Sequence, residues 1–259
     1  MTTLETGAGT LHVVGLGPGG PEHLTEAARL AIAESGVFFG YGPYLDRLAL
    51  RPHQRRVASD NREELARARA ALDCAVAGET VCVVSGGDPG VFAMAAAVCE
   101  AIEAGPESYR KVALNVVPGI TAMLAAAARV GAPLGHDFAA ISLSDNLKPW
   151  VLIEKRLRLV AQAGMAMALY NPISKARPHQ IGTAFSVLRE VLPGGVPVIF
   201  ARAVGRADER IALMTLAEAD PAQADMATCV IIGSAETRVV ARPGLPPLVY
   251  TPRAAGARP

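Results

Sequence analysis

Cysteine is scarce and unpaired in this sequence. Four occur among 259 residues, Cys74, Cys82, Cys99 and Cys229, and no two form a C-x-x-C pair. That argues against a disulfide framework and a thiol redox motif. It predicts buried small apolar residues in a reducing cytoplasm. An excess of one charge is also missing. Lys plus Arg number 25 and Asp plus Glu 24, a net charge of +1. A nucleic-acid binder shows a basic excess or stripe, so no nucleic-acid partner is expected. The local basic group is Arg47, Arg51, Arg55, Arg56 and Arg62. Apolar stretches are short and broken by Gly, Pro or charge, so none reads as a signal peptide or a membrane span. No His/Cys/Asp spacing suits a protein-bound metal, and no Ser-His-Asp or Cys-His pattern suggests a protein nucleophile.

What is present is apolar material for a substantial core: 51% hydrophobic against 19% charged residues. The length allows one large domain or two modest ones. Strands are predicted at 10–15, 37–39, 80–84 and 112–117. Helices are predicted at 21–35 with Pro at the first position, 62–77 capped by Asp60 or Asn61, 91–104 and 121–130. The pattern then restarts, with strands at 138–143, 166–169, 196–200, 211–215 and 228–232 and helices at 151–162 and 180–191. Alternating β and α predicts an α/β protein with a mostly parallel N-terminal sheet. The later strands follow one another without helices, which predicts a mixed C-terminal sheet. A boundary falls near 118–121, giving domains 1–118 and 119–242. Residues 1–9 read as a loose leader and 243–259 as a frayed tail.

Four turns each follow an apolar run. They are Gly15-Leu16-Gly17-Pro18-Gly19, Ser85-Gly86-Gly87-Asp88-Pro89-Gly90, Val117-Pro118-Gly119-Ile120-Thr121-Ala122 and Leu169-Tyr170-Asn171-Pro172. Turns at the carboxyl ends of parallel strands are where ligands bind, so distant segments are expected to build one composite pocket. The first turn fits G-x-G-x-x-G literally. A dinucleotide site also wants a helix opening inside the motif and an acidic residue ending the second strand. Pro18 and Pro21 delay the helix, and the strand ends in Phe38-Phe39-Gly40-Tyr41 without a carboxylate.

G-x-G-P-G-x(4)-L-T, with Leu24 and Thr25, stands together with Gly86-Gly87-Asp88-Pro89, Pro118-Gly119-Ile120-Thr121 and Gly205-Arg206-Ala207-Asp208-Glu209. On these motifs the chain resembles the tetrapyrrole (class III) methyltransferases over residues 10–240. Gly40-Tyr41-Gly42-Pro43-Tyr44-Leu45, Ser142-Leu143-Ser144-Asp145 and Leu169-Tyr170-Asn171-Pro172 are most similar to one branch of that family. That branch, in cobalamin biosynthesis, methylates C17 of precorrin-3B and contracts the ring to precorrin-4. The resemblance implies two α/β domains with a ligand cleft between them, a homodimer, a precorrin substrate and S-adenosyl-L-methionine as methyl donor, leaving S-adenosyl-L-homocysteine. The donor contacts it implies are Pro18; Gly86, Gly87 and Asp88 with Val91 and Phe92; Thr121 and Ala122; Tyr170 and Asn171; and Val204.

Methyl transfer from a sulfonium asks a protein to position two reactants and exclude water. Gly86 and Gly87 allow close backbone approach. Asp88 offers an acceptor beside them, or caps the helix behind Pro89. A macrocycle rich in acetate and propionate arms calls for arginine. Arg202 and Arg206 lead the candidates over Arg51, Arg55, Arg56, Arg62 and Arg177, each of which also reads as solvated surface charge. Tyr41 and Tyr44 suit the macrocycle face, or pack a loop. Ring contraction wants a base, for which Asp145 and His136 are the candidates, with Asp137 and Lys148 in the same segment; His136 also reads as an ordinary loop residue. Alternatives are a sibling methyltransferase acting on another precorrin or on cobalt-factor III, a nicotinamide-dependent oxidoreductase, and a non-catalytic tetrapyrrole carrier.

Overall fold

The computed structural model describes residues 7–60 and 63–254. The chain divides into two units, one ending at Thr121 and one beginning at Ala122. Unit 1 contains β1 (Thr10–Gly15), α1 (Glu26–Glu34), β2 (Val37–Tyr41), α2 (Gly42–Leu45), β3 (Arg55–Ser59), α3 (Glu64–Val76), β4 (Val81–Ser85), α4 (Met94–Ala104) and β5 (Ala113–Val117). Its five strands are all parallel, in the order β3-β2-β4-β1-β5. The central strands are apolar at successive positions because both faces are covered. Leu11, Val13, Val81 and Val83 face α3 and α4, against Ala68, Ala71, Leu72, Val98 and Ala101. Val14, Phe38, Cys82 and Val84 face the other way, against Ala28, Ala31 and Leu45. This is the two-residue alternation of a strand, and the alanines let helix backbones lie close to the sheet.

Three helix starts differ from the sequence expectation, each for a local reason. The helix expected over 21–35 begins late: Pro21–His23 is a separate 3-10 turn, Leu24 is extended, and Thr25 caps α1 by accepting from Ala28 N at 3.1 Å. The helix α3 starts after Glu63, with no side-chain cap, and Asp60 instead donates its N–H to Glu63 at 2.9 Å. Asn61 and Arg62 lie outside the described residues. The helix α4 starts at Met94 rather than 91, because Phe92 sits at φ 52° and Ala93 is extended. Asp88 is therefore too far upstream to cap it.

Unit 2 contains α5 (Ala122–Val130), β6 (Gly131–Ala132), β7 (Phe138–Ser142), α6 (Trp150–Gln162), β8 (Ala166–Tyr170), α7 (Gln180–Arg189), β9 (Pro197–Arg202), β10 (Arg210–Thr215), β11 (Thr228–Ile232), β12 (Arg238–Arg242) and β13 (Leu245–Tyr250). The main sheet runs β10-β9-β11-β8-β7; β7 and β8 pair in parallel and the other pairs are antiparallel. The helices α6 and α7 cover one face, with Ile153, Leu157, Ile181, Phe185 and Leu188 packed on Met167, Leu169 and Phe200. The other face is covered by α5 and by Val249 of β13.

That last contact corrects the expected tail over 243–259. β13 pairs with β12 and β6 in a second sheet, and Val249 is fully buried. Thr251 Oγ1 donates to Pro133 O at 2.6 Å and lies 2.8 Å from Thr237 Oγ1. Pro246 and Pro247 disguise the strand; a register shift between Val240 and Arg242 accommodates them opposite β12. Residues 1–6 of the expected leader and 255–259 of the expected tail lie outside the described residues. The cysteines also differ from expectation in part. All four are free; Cys82 and Cys229 are buried, but Cys74 is half-buried and Cys99 is exposed. Met94, Ala95, Val98 and Ala101 of α4 face the core, and Cys99 falls off that stripe. No helix among the described residues is long and apolar enough to cross a membrane.

Candidate functional site

The strands β4, β1 and β5 are successive neighbours in the parallel sheet, with β5 at its edge, and the turns that follow them touch. Gly17 and Gly87 exchange both backbone hydrogen bonds, each 3.0 Å. A Cβ on Gly119 would lie 2.3 Å from the Gly87 carbonyl oxygen, and Gly87 itself sits at φ 70°. The close approach at Gly119 excludes any Cβ, and the positive φ at Gly87 strongly favours glycine. Asp88 joins the turns from its side chain: Oδ1 accepts from Gly90 N at 2.8 Å and Oδ2 from Gly119 N at 3.0 Å. Its expected role as a helix cap is replaced by this bridge. The space expected above Gly86 for a ligand is filled from within, since a Cβ there would lie 2.8 Å from the Tyr44 ring.

Arg47 is a contributor that the sequence reading placed only in a basic group. Its Nη2 donates to the carbonyls of Leu16, Gly17 and Gly19 at 2.8, 3.0 and 2.5 Å. One guanidinium thereby fixes the Gly-Pro turn around the buried Pro18. No local sequence signal announces this, because the donor is 28–31 residues from its acceptors. Val91 is half-buried and Phe92 exposed behind the Gly86–Asp88 turn, while Thr121 is buried at the end of unit 1.

In unit 2 the expected donor contacts are Ala122, Tyr170, Asn171 and Val204. Ala122 opens α5, whose first-turn N–H groups need acceptors; Tyr170 Oη accepts from Met123 N at 2.9 Å. Asn171 follows β8 at φ 52°, and its Nδ2 donates to Ser142 Oγ at the end of β7, 2.9 Å away. Val204 is buried directly after Ala203, which sits at φ 49°. Phe92, Asn171 and Ala203 are the non-glycine residues with positive φ among the described residues. Each such residue costs about 1–3 kcal/mol and persists where surrounding structure enforces it, commonly at ligand sites.

The two candidate bases are separated. His136 precedes β7 and Asp145 follows it, so about 13 Å of strand lies between their ends of the sheet. Asp145 is at the carboxyl end, and His136 is at the other, where its Nδ1 accepts from Asp137 N at 2.7 Å. Around Asp145, Gln180 Nε2 donates to Oδ2 at 3.2 Å and Arg177 Nε lies 3.9 Å from Oδ1.

Three of the seven candidate arginines, Arg202, Arg55 and Arg56, are held closely by internal carboxylates. Arg202 bonds Asp225 at 2.6 Å and Asp208 at 2.7 Å, and both bonds push its pKa up. Arg55 Nη2 donates to both oxygens of Glu79, and Arg56 is paired with Asp46. In each case an internal carboxylate takes the place foreseen for a substrate arm. Arg202 does line a cavity of about 250 Å³ with Phe200, Arg210 and Asp225, which is small for a macrocycle. Arg206 is exposed beyond Ala203 and Arg51 is exposed ahead of β3. Tyr41 ends β2 and Tyr44 lies in α2, and their rings pack edge to face with centroids 5.5 Å apart. The Gly205–Glu209 motif is held internally as well: Glu209 accepts from Gly205 N at 2.6 Å and from Arg129 Nε at 2.7 Å.

The family model of Tetrapyrrole (Corrin/Porphyrin) Methylases matches residues 10–220. The chain belongs to the tetrapyrrole methylases. Among other tetrapyrrole methylases, a precorrin-3B C(17)-methyltransferase of a Sinorhizobium species is 68% identical, over 95% of this chain and 96% of its own length. The crystal structure of the methyltransferase CobJ is 50% identical with a TM-score of 0.90, covering 94% of this chain and all of that one. A uroporphyrin-III C-methyltransferase of Thermus thermophilus, solved with S-adenosylhomocysteine, is 26% identical with a TM-score of 0.68, over 88% of this chain and 98% of its own.

The unit 1 turns of this tetrapyrrole methylase fit a donor with an adenosine and an amino-acid portion. They offer a half-buried carboxylate at Asp88 and the apolar side chains of Phe92 and Ile120, which are 49% and 38% exposed. Half-exposed apolar walls suit an adenine ring, and backbone carbonyls suit its amino group and the ribose hydroxyls.

Proposed function

We propose that this chain methylates C17 of precorrin-3B, with ring contraction to precorrin-4, in cobalamin biosynthesis. The observation that carries this reading is the 68% identity spread over nearly the whole of this chain and of the Sinorhizobium relative. S-adenosylmethionine, when bound, supplies a methyl group on a cationic sulfur: the ring carbon's electron pair forms the new C–C bond and the broken S–C bond leaves a neutral thioether.

The chain's own residues position and shield the reactants. The turns at Pro18, Gly87–Asp88 and Gly119–Thr121 bind the donor through backbone groups, with Phe92 against its flat portion. In unit 2, Ala122, Tyr170, Asn171 and Val204 contribute further contacts. Asp145, held in orientation by Gln180, accepts the substrate hydroxyl proton that contraction releases. His136 has no part in this reading, because it stands at the opposite end of β7. The working protein is a cytoplasmic homodimer, which light scattering at twice the chain mass would support.

The test is incubation with isotopically labelled donor and a panel of precorrins, with the product analysed by mass and NMR. One labelled methyl at C17 of a contracted ring is expected from precorrin-3B. Label on another carbon, or turnover of cobalt-factor III alone, would assign a sibling activity. Binding of a tetrapyrrole without methylation would leave a carrier. Asp145→Asn is expected to lower kcat at least about 100-fold while leaving S-adenosylhomocysteine affinity unchanged; undiminished kcat removes Asp145 as the base.

A further inference from the structure

Beyond the β7 and β8 ends, two loops bring together more positive charge than their own carboxylate balances. Lys148 lies between β7 and α6, and Arg177 between β8 and α7. Because β7 and β8 are parallel neighbours, with Ser142 opposite Tyr170, both loops leave the carboxyl edge at adjacent places. This is the edge at which α/β sheets receive ligands.

The site is built rather than incidental. Arg177 is fixed at its backbone by reciprocal hydrogen bonds with Ser174, at 3.0 and 3.1 Å. Its side chain is only 14% exposed, and Nη1 donates to Asn171 O at 3.4 Å. Its nearest carboxylate, Asp145, stays 3.9 Å away, and the other Asp145 oxygen is taken by Gln180. Lys148 is half-buried, with Nζ donating to Ser144 O at 3.1 Å. Burial pushes the Lys148 pKa down, Arg156 and Arg177 push it further, and Asp145 alone opposes them. Lys148 and Arg177 thus share one carboxylate, Asp145. Arg55, Arg56 and Arg202 show the contrast, since each has a carboxylate at 2.5–2.8 Å. Partly desolvated like charges repel unless an anion joins them.

We propose that Lys148 and Arg177, beside Asp145, form a binding site for one carboxylate arm of the substrate. Arg177 supplies in-plane N–H donors of the geometry that suits a carboxylate, and Lys148 adds a point charge from the neighbouring loop. The inference rests on the precorrin reading for the identity of the substrate, but the site itself is a statement about carboxylates.

The experiment compares the full-length wild type with Lys148→Gln, Arg177→Gln and Lys148→Arg. It measures KM for precorrin-3B, affinity for S-adenosylhomocysteine, and binding of uroporphyrin III, a stable polycarboxylate, by its change in absorbance. Each Gln variant is expected to raise KM and weaken uroporphyrin binding about 10-fold, since a charge-assisted hydrogen bond is lost. S-adenosylhomocysteine affinity stays at the wild-type value, and Lys148→Arg keeps most of the affinity. The salt dependence of uroporphyrin binding becomes shallower in the Gln variants. Unchanged KM and uroporphyrin affinity in both Gln variants overturns the site, as does an equal loss of S-adenosylhomocysteine binding. Should wild type fail to methylate precorrin-3B yet lose uroporphyrin on Lys148→Gln, the precorrin reading falls and the carboxylate site stands. Failure of the wild type to bind either tetrapyrrole overturns both.

Discussion

Gly87 carries two constraints at one atom: a positive φ and a reciprocal pairing with Gly17. Valine there meets both, since a β-branched side chain is strained at φ 70° and its bulk intrudes on the pairing. Strain of about 1–3 kcal/mol in the turn proposed to bind the donor corresponds to up to about 100-fold in affinity. Gly87→Val should therefore lower S-adenosylhomocysteine affinity toward that extent by calorimetry, with the far-ultraviolet circular dichroism retained. Unaltered affinity would remove the turn from the site. His12 offers a second prediction at this scale. It is buried in β1, with Asn115 Nδ2 3.2 Å from its Nδ1, and burial lowers its pKa from 6.5 although Glu34 opposes the shift. The unfolded chain binds the proton more readily, so stability is fully present above 6.5 and declines as pH falls through that value toward the lower folded pKa. Urea midpoints of the wild type should fall between pH 7.5 and 5.5 more steeply than those of His12→Gln; parallel curves would show that His12 does not contribute.

Among the elements, α1 shows why a helix boundary here was hard to place. Proline at position 21 signals a helix start, and a turn of 3-10 helix does form there. The Thr25 hydroxyl then competes for the chain, and the α-helix begins behind it. That hydroxyl also lies 3.4 Å from Pro118 O, at the turn after β5. Thr25→Ala is expected to cost about 1 kcal/mol, the usual loss on deleting an N-cap, seen as a lower denaturation midpoint with unchanged m-value. An unchanged midpoint would show that the cap is redundant. The strands β1, β2, β4, β5 and β7 to β11 were legible to within about two residues because the central ones are buried on both faces, which leaves a continuous apolar run in the sequence. β3, β6 and β12 were not, and β3 is exposed along most of its length at the sheet edge. β13 was not legible, because Pro246 and Pro247 hide a strand whose pairing is irregular.

For the molecule as a whole, β13 closes the face of unit 2 opposite α6 and α7. Val249 packs with Ala125, Ala126 and Ile231, and Thr251 ties the chain to Pro133 and Thr237. Truncation after Gly244 removes all of these contacts. Amides of α5 and β11 should then exchange hydrogen orders of magnitude faster, while those of β1, β4 and β5 keep their protection. Protection retained throughout unit 2 would make β13 an accessory rather than a core strand.

Residue order alone determined the alternation of strands and helices, the parallel and mixed halves, and the glycine turns, because each is written in spacing and in residues with restricted backbones. It also determined family membership, since those turns recur together in a distinctive form. Tertiary structure decided what the polar side chains do. Arg202 is consumed by Asp208 and Asp225, Asp88 bridges two turns rather than capping a helix, His136 falls at the far end of β7, and Arg177 and Lys148 stand on neighbouring loops with Asp145. Those outcomes depend on partners distant in sequence. The cost of leaving a buried or half-buried charge unpaired selects among them only after the strands have been brought side by side.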